Sequence, residues 1–491
     1  MHFRRLFRDT LIYGSGRVML QLIAVVLTPV WTRIFVPSDY GVLETIASLT
    51  TVLALFASLG LESASQRSYF DYKETQADRR RTVLSTTLWT LLATSATLAV
   101  CGVLLRAPIS RAFFGTDAFA TMLGLAALSV PLAVLTNFCQ EVMRVRHQPV
   151  RYSLLSVISG VAAIAFALFF VVARDKGLEG YYLGVVVGSA IALFIGYVIV
   201  RDVVRPRVDV RELRVMLAYG LPLIPVAAST WVLQLADRFF LLHFGTLREL
   251  GLYGVGYRLA NFLLLFTTAV GLAWAPLMLE LHASDPAAER VTRSRTLNYV
   301  TFILCFGAVV LSVFAREIFR TITAPAFADA YQVAGLLSGS VVFIGMNVIT
   351  ISAMAITRRT GYLARYTLYA AGLNTALNFL LIPTWTMIGA ALATFVTYGF
   401  LAALYYWRAE TLDPAPFELR RLLVILGVAA AVIAVGTFID IEPLWLSILV
   451  KVPLVIAFPA LLMVLRAFDW STLTSVPRFA LAAMKSEKAP A

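Results

Sequence analysis

The sequence predicts an all-α integral membrane protein with about 14 transmembrane helices. Its 491 residues are 60% hydrophobic and only 14% charged, whereas about a quarter of the residues of a soluble protein are charged. The apolar stretches are long and lack the alternation of membrane strands, so they favour helices over a barrel. Basic residues flank these stretches, so the net charge of +13 indicates a membrane topology and not a nucleic-acid partner.

Fourteen stretches are long enough to span a bilayer, which takes about 20 apolar residues. The first follows the basic start HFRRLFRD and has no small-residue cleavage site before its end near Val36. We therefore expect a retained helix and not a signal peptide. Several stretches contain proline, which kinks a helix by removing a backbone hydrogen bond. The stretches lie at about 10–35, 41–62, 83–105, 118–140, 152–173, 180–200, 215–242, 250–278, 296–315, 332–357, 362–382, 386–407, 422–440 and 444–465.

The charges of the connections set the expected orientation. With the N-terminus inside, the inner connections and the two ends hold 29 Lys and Arg residues, and the outer connections hold 8. This positive-inside bias predicts that both termini are cytoplasmic. No connection approaches the size of a domain, and residues 467–491 are expected to form a polar cytoplasmic tail. The outer basic residues are Arg33, Arg106, Arg111, Arg174, Lys176, Arg248, Arg316 and Arg320.

Short internal matches indicate a duplication. Their offsets agree once about seven residues are inserted in the second copy, although chance similarity between apolar helices is the alternative. The matching pairs are Tyr13-Gly14 with Tyr219-Gly220 (offset 206), Tyr40-Gly41-Val42 with Tyr253-Gly254-Val255 (offset 213), and Arg151-Tyr152 with Arg365-Tyr366 (offset 214).

The duplication predicts two lobes of six helices and two additional helices. Residues 1–212 are expected to hold helices 1–6, residues 213–410 helices 7–12, and residues 411–466 helices 13 and 14. Because six is even, both lobes enter the membrane with the same orientation. Substrate sites of such parallel repeats tend to lie between the halves.

Charged residues within the apolar stretches mark candidate functional positions, because charge is costly in hydrocarbon. Arg17 and Arg258 are deep, at about 12 Å from the nearest end of each stretch. With Lys451, they are our candidates for binding an anionic group, since Arg forms bidentate hydrogen bonds with phosphate. The alternative is a structural ion pair, for which Asp237 is the expected partner of Arg258.

Other embedded charges have weaker claims. Asp237 and Arg238 are candidates for ion coupling or for a structural ion pair, and Arg238 has the further alternative of reaching the outer interface. Glu44, Glu62 and Glu280 lie at the margins of their stretches, where we expect solvated helix ends.

Motifs for catalysis or cofactors are absent from the sequence. No glycine precedes a lysine, which excludes a P-loop, and no G-x-S-x-G elbow occurs. Three cysteines in apolar stretches and four scattered histidines predict neither a disulfide framework nor a metal site. Asp440 and Glu442 form a D-x-E pair that suits the metal of a lipid-linked sugar transferase, but their loop is too short for such a site. We therefore expect no enzyme and no cofactor.

Several stretches are specific when their order and spacing are taken together. They are DYGVLETIASL and LGLESASQRSYF around helix 2, YGLPLIP and ADRFFL in helix 7, GLYGVGYRLAN at the start of helix 8, AWAPLMLEL, and AGLNTALNFLLIPTWTMIGAALAT across helices 11 and 12. In this order they resemble the polysaccharide transporter family, the O-antigen and oligosaccharide flippases. This family lies within the superfamily of multidrug, oligosaccharidyl-lipid and polysaccharide exporters.

The resemblance implies a MATE-like, lipid-flippase architecture with two lobes in a V. It implies that the chain moves undecaprenyl-pyrophosphate-linked oligosaccharide to the outer leaflet of the bacterial cytoplasmic membrane by alternating access. Arg17 and Arg258 would then contact the pyrophosphate, and helices 13 and 14 would help to form a groove for the lipid tail. The implied partners are this lipid-linked oligosaccharide, membrane lipids, H+ or Na+ as the coupling ion, and other polysaccharide-assembly proteins.

Two rival functions are weighed against this one. A multidrug exporter of the same superfamily shares the two lobes, but it typically has 12 helices and an acidic cavity for cationic drugs. A glycan polymerase or ligase is expected to carry a large outer loop, which this sequence lacks.

Overall fold

The computed structural model describes the backbone of residues 2–467 and the side chains of residues 18–467. Within these residues the chain is helical and contains no strand. The helices are α1 (His2–Ile34), α2 (Pro37–Ser58), α3 (Leu61–Asp71), α4 (Ala77–Leu104), α5 (Arg106–Phe114), α6 (Ala120–Val145), α7 (Pro149–Leu168), α8 (Gly177–Val200), α9 (Val210–Gly220), α10 (Ile224–Phe244), α11 (Leu247–Ala260), α12 (Phe262–Ser284), α13 (Pro286–Val313), α14 (Ala315–Ile322), α15 (Tyr331–Ile356), α16 (Gly361–Leu412), α17 (Leu419–Phe438) and α18 (Leu444–Val464).

Twelve helical segments of the described chain are long and apolar enough to cross a membrane. One of them, α16, is two helices, because Thr386 has non-helical backbone angles (φ 43°, ψ −120°) three residues after Pro383. The apolar part of α1, Val18–Ile34, is a shorter additional segment. Counting α16 twice and adding this segment accounts for all 14 predicted stretches. The predicted all-α fold is confirmed, and the chain is a multi-pass membrane protein.

Two of the predicted helices contain more than one helical element. The stretch 215–242 contains α9 and α10, which a single 3-10 turn at Leu221–Leu223 joins into one membrane span; Pro222 lies in this turn and Pro225 in the first turn of α10. Neither proline has the N–H group that a continuous helix needs at these positions. The stretch 250–278 contains α11 and α12, which meet at Asn261.

The described chain forms two compact units. The first unit contains residues 9–24 and 38–251, and the second unit contains the remaining described residues, so the middle of α1 belongs to the first unit and its two ends belong to the second. The first unit extends past the predicted lobe boundary at 212, because α9 packs against α3 and α4. The assignment of six helices to each of two repeats stays a prediction about the sequence.

Closely packed backbones join α7 and α8 in the first unit. Glycine recurs at every fourth residue of α8, at Gly180, Gly184 and Gly188, so the three glycines form a shallow groove on one face of the helix. A Cβ atom on Gly184 would lie 2.1 Å from the backbone nitrogen of Ala167, and one on Gly188 would lie 2.3 Å from that of Ala163. The two helices can approach this closely only because no side chains line this groove.

The core of the second unit includes the last two helices. Leu304 and Val309 of α13 are buried in the same apolar cluster as Ile425 of α17 and Phe458 of α18. The ring of Phe458 also stacks on Phe302, with 5.8 Å between the ring centroids. Helices α17 and α18, which have no counterpart in the predicted repeat, therefore pack as an integral part of this unit.

The ends of α6 and α15 share one backbone geometry. His147 (φ 54°) and Arg358 (φ 57°) both adopt the left-handed conformation just after the helix. The next residue then donates its N–H to a carbonyl five residues earlier, Gln148 to Met143 and Arg359 to Met354, both over 2.9 Å. This is the Schellman type of helix cap. Arg466 (φ 53°) ends α18 with the same type of cap, so the cap is a local feature of helix ends and does not test the inferred duplication.

We expect Gly184→Leu to destabilise the protein, because a leucine has no space between α7 and α8. Overpacking of a tight contact costs about 1–3 kcal/mol or more. The matched control is Gly372→Leu, since a Cβ atom on Gly372 would meet no atom within 4 Å. Melting temperatures of the purified variants in detergent test this. Equal melting temperatures for the two variants would contradict the proposed close contact.

Candidate functional site

Arg238 is held inside the first unit by two carboxylates. Its Nη1 donates to Asp237 Oδ1 over 2.7 Å and to the carbonyl oxygen of Gln234 over 2.6 Å. Its Nε lies 3.9 Å from Glu44 Oε2 on α2. Only 2% of Arg238 is exposed, so it does not reach the outer interface. The geometry is that of a structural ion pair, one of the two roles predicted for Asp237 and Arg238.

The predicted role of Glu44 needs correction. The sequence places Glu44 at a helix margin, where we expected solvent, but its side chain is only 13% exposed and faces Arg238. The positive charge of a nearby buried guanidinium stabilises a carboxylate and so offsets the cost of burying Glu44. Glu44 therefore belongs to the charged cluster of α2 and α10 and is not a solvated helix end.

Lys451 is neutralised within the second unit. Its Nζ lies 2.6 Å from Oε1 of Glu317 on α14, and Ser447 donates its hydroxyl to the same oxygen over 2.6 Å. Lys451 is 2% exposed. Burial alone would raise the pKa of Glu317, but the hydrogen bonds from Lys451 and Ser447 outweigh it and hold the pKa below its ordinary value. This arrangement favours a structural role for Lys451 over the predicted contact with pyrophosphate.

The D-x-E pair between α17 and α18 is also paired with arginine. Asp440 binds Arg316, whose hydrogen bond lowers the pKa of the Asp440 carboxyl, and Glu442 Oε1 lies 3.3 Å from Arg320 Nη1. Arg316 also donates to the Tyr331 hydroxyl over 2.8 Å. The described residues contain no group of three His, Cys, Asp or Glu side chains placed to hold a metal ion. The pair thus anchors this connection to α14.

Arg17 and Arg258, the two cations predicted to lie deepest in the membrane, are on different helices. Arg17 lies on α1, but its side chain is outside the described side chains. Its neighbour Gly16 is buried, and a Cβ atom there would lie 3.2 Å from the backbone of Ser153 on α7. Arg258 lies on α11 with its side chain partly exposed. The predicted roles of Arg17 and Arg258 therefore remain open to experiment.

A buried charge cluster at the start of α13 was missed by the sequence analysis. Arg293 is 0% exposed, and its Nη2 donates to Asp413 Oδ2 over 2.6 Å. Arg290 Nε donates to the other oxygen of Asp413 over 2.7 Å. Burial alone would raise the pKa of Asp413, but the two guanidiniums outweigh it and lower the pKa. The cluster fastens the connection between α16 and α17 to α13.

A second missed cluster is uncharged and joins the two halves of α16. Asn378 Nδ2 donates to Asn374 Oδ1 over 2.9 Å, and Asn374 Nδ2 donates to Thr397 Oγ1 over 3.4 Å. All three residues are buried. The signal in the sequence was two asparagines four residues apart in an apolar stretch, a spacing that places them on one helix face.

The sequence itself identifies the family. Residues 6–282, more than half of the chain, match the sequence model of the family described as "Polysaccharide biosynthesis protein". The chain belongs to this family. No match to a curated protein was found at the level of sequence.

The fold of this polysaccharide biosynthesis family member is shared with membrane transporters. A structure of the lipid II flippase MurJ in an inward closed conformation has a TM-score of 0.73 at 14% identity, over 93% of this chain and 98% of that one. An inward-facing multidrug resistance MATE family transporter has a TM-score of 0.65 at 13% identity, over 80% of this chain and 97% of that one. At such identities the likeness establishes the fold, and the MATE-like, lipid-flippase architecture predicted from the sequence is confirmed.

For this member of the polysaccharide biosynthesis family, we expect Lys451→Met to destabilise the protein by about 3–5 kcal/mol, because it leaves Glu317 buried without its partner. The double variant Glu317→Gln/Lys451→Met removes both charges and should recover most of the loss. Melting temperatures of the purified variants in detergent test this pair. A Lys451→Met variant of normal stability would contradict the structural role of Lys451.

Proposed function

We propose that the chain moves undecaprenyl-pyrophosphate-linked oligosaccharide from the cytoplasmic to the outer leaflet of the bacterial cytoplasmic membrane. The flipped glycan would serve the synthesis of a surface polysaccharide. The observation that carries the proposal is the family match over residues 6–282. The fold shared with a lipid II flippase over 93% of the chain supports it.

A lipid-linked glycan needs a carrier to cross the membrane. A glycan attached to a diphosphate cannot cross about 30 Å of hydrocarbon unaided, because its polar groups would lose their water. A carrier must offer a polar, cationic path to the headgroup while the polyprenyl tail stays in lipid. Alternating access to the two faces of the membrane supplies such a path without an open pore. Both termini would face the cytoplasm, as the positive-inside bias predicts.

Arg17 and Arg258 are the residues that we propose for the pyrophosphate. A guanidinium presents a planar set of donors that matches two phosphate oxygens at once. Lys451 is a poorer candidate for the pyrophosphate, because it is 2% exposed and its Nζ lies 2.6 Å from Glu317 Oε1. H+ or Na+ is proposed as the coupling ion, with Asp237 as a candidate carboxylate, and other polysaccharide-assembly proteins as partners.

Ion-coupled export of drugs is the second candidate function, because the fold is also shared with a multidrug resistance transporter. The extent of the likeness favours the flippase, since the multidrug transporter covers 80% of this chain and the lipid flippase covers 93%. The intramembrane arginines proposed as substrate ligands also suit an anionic headgroup better than a cationic drug.

We expect transport to follow an ion gradient, because the sequence has no nucleotide-binding motif. The assay uses sealed vesicles containing the purified full chain and a polyprenyl diphosphate that carries a short fluorescent oligosaccharide. Access of a membrane-impermeant quencher to the glycan reports flipping, and empty vesicles are the control. Transport driven by ATP without an ion gradient would contradict the coupling, and failure to flip this probe while cationic dyes are exported would favour the drug exporter.

We expect Arg17→Ala to abolish flipping while the protein remains folded in the membrane. Arg17→Lys should rescue the activity only partly, because an ammonium keeps the charge but loses the bidentate geometry. Arg238→Ala is the contrasting variant, since it removes the partner of Asp237 and should lower the amount of folded protein.

Flipping divided by the amount of protein decides the role of Arg17. Near-normal activity per molecule in the Arg17→Ala variant would remove this residue from the site. Arg258 would then be the leading candidate for the pyrophosphate.

A further inference from the structure

The first turn of α16 borders an open cavity of about 270 Å³ with two basic side chains. Its lining residues are Arg359, Gly361, Tyr362 and Arg365. The side chains of Arg359 and Arg365 are exposed, and neither forms an ion pair with any residue that the structure describes. The cavity is several times larger than a phosphate group, so a ligand and its bound water fit within it.

A third guanidinium lies against the same tyrosine. The Arg408 Cζ atom is 3.7 Å from the centroid of the Tyr362 ring, and the Arg365 Cζ atom is 5.6 Å from it. Arg408 also has no carboxylate partner among the described residues, and its buried Nε has no hydrogen-bond partner there. The ring face offsets part of the repulsion between the two cations. An anion bound nearby would offset the rest.

The backbone at this point also favours an anion. The side chain of Thr360 does not cap α16, although the N–H groups of Tyr362 and Leu363 already donate to the carbonyl oxygens of Arg359 and Thr360. A Cβ atom on Gly361 would meet no atom within 4 Å, so a ligand can approach the backbone there. The helix dipole adds to the attraction of the three arginines, although it does not by itself define a site.

An exposed apolar surface continues from the cavity along α16. Leu368 and Tyr369 follow Arg365 by three and four residues and therefore share its helix face, with 56% and 53% of their surfaces exposed. Phe379 and Leu380 continue this face about three turns further on and are also exposed. Trp407, beside Arg408, is exposed as well, and Trp and Tyr are enriched where a membrane meets water. A free anion would contact the arginines but would make no contact with this apolar surface.

We propose that this cavity binds the phosphate of an anionic membrane phospholipid, with the acyl chains lying along the exposed face of α16. Arg359 and Arg365 contact the phosphate, and Arg408 holds Tyr362 in place and adds positive charge. Basic pockets beside transmembrane helices suit such headgroups. The proposal is independent of the transported substrate, because it concerns a lipid that stays bound to the second unit.

The test measures the melting temperature of the purified full chain in detergent during titration with phosphatidylglycerol, phosphatidylcholine or inorganic phosphate. We expect phosphatidylglycerol to stabilise the wild-type protein. In Arg359→Gln/Arg365→Gln, its apparent affinity should fall by roughly tenfold to thirtyfold, the loss expected for two basic residues at an anionic lipid. The matched control is Arg420→Gln/Arg466→Gln, which removes two exposed arginines of the same unit that do not line the cavity.

Several outcomes would overturn the proposal. Unchanged affinity in the cavity variant would do so, as would an equal loss in the control variant. Equal stabilisation by phosphatidylcholine would show that the headgroup charge does not matter, and equal stabilisation by inorganic phosphate would show a site for free anions. If the glutamine variant is unstable without lipid, Arg359→Lys/Arg365→Lys serves in its place. It keeps the charge and should bind more weakly than the wild type and more tightly than a glutamine variant.

Discussion

An ionised side chain within a membrane has no water to stabilise it, and this constraint accounts for how several helices are joined. Lys451 of α18 is paired with Glu317 of α14, and Arg238 of α10 faces Asp237 and the Glu44 carboxylate of α2. Removing one partner would leave the other charge buried at a cost of several kcal/mol. Each cluster of this kind therefore specifies which helix faces its neighbour, a choice that apolar packing alone leaves weakly determined in lipid.

The same constraint separates structural cations from candidate ligand-binding cations. Lys451, Arg238 and Arg293 each lie within reach of a carboxylate and are almost fully buried. Arg359 and Arg365 are exposed and have no carboxylate partner in the described part of the chain. The position of a basic residue in the sequence does not distinguish structural cations from ligand-binding ones. The presence or absence of a carboxylate partner in the fold distinguishes them.

The sequence predicts the membrane fold well because hydropathy reflects the environment of each residue directly. Local helix geometry is predicted less well: the stretch 215–242 is one span that tightens into a single 3-10 turn at Pro222, whereas the stretch 250–278 is divided at Asn261 without a proline. The buried role of Arg293 was missed because its partner, Asp413, is 120 residues away in the sequence. Arg290 and Arg293 look like ordinary loop charges until the fold brings that partner to them. The ion pair of Asp237 with Arg238 was only one of the alternatives, because the sequence also offered Arg258 as the partner of Asp237 and adjacent helical residues do not normally face each other.

The attachment of α17 and α18 has a consequence for how chains of this architecture gain or lose helices. Their apolar faces complete the core around α13. Charged and polar side chains of α14 bind Ser447 and Lys451 of α18 and the Asp440 and Glu442 carboxylates that precede it. A chain that ended at residue 412 would expose that core to lipid and leave the Glu317 carboxylate without a counter-charge. Loss of the two helices would therefore require compensating substitutions at α13 and α14, so the longer and shorter architectures are separated by coordinated changes and not by a simple deletion.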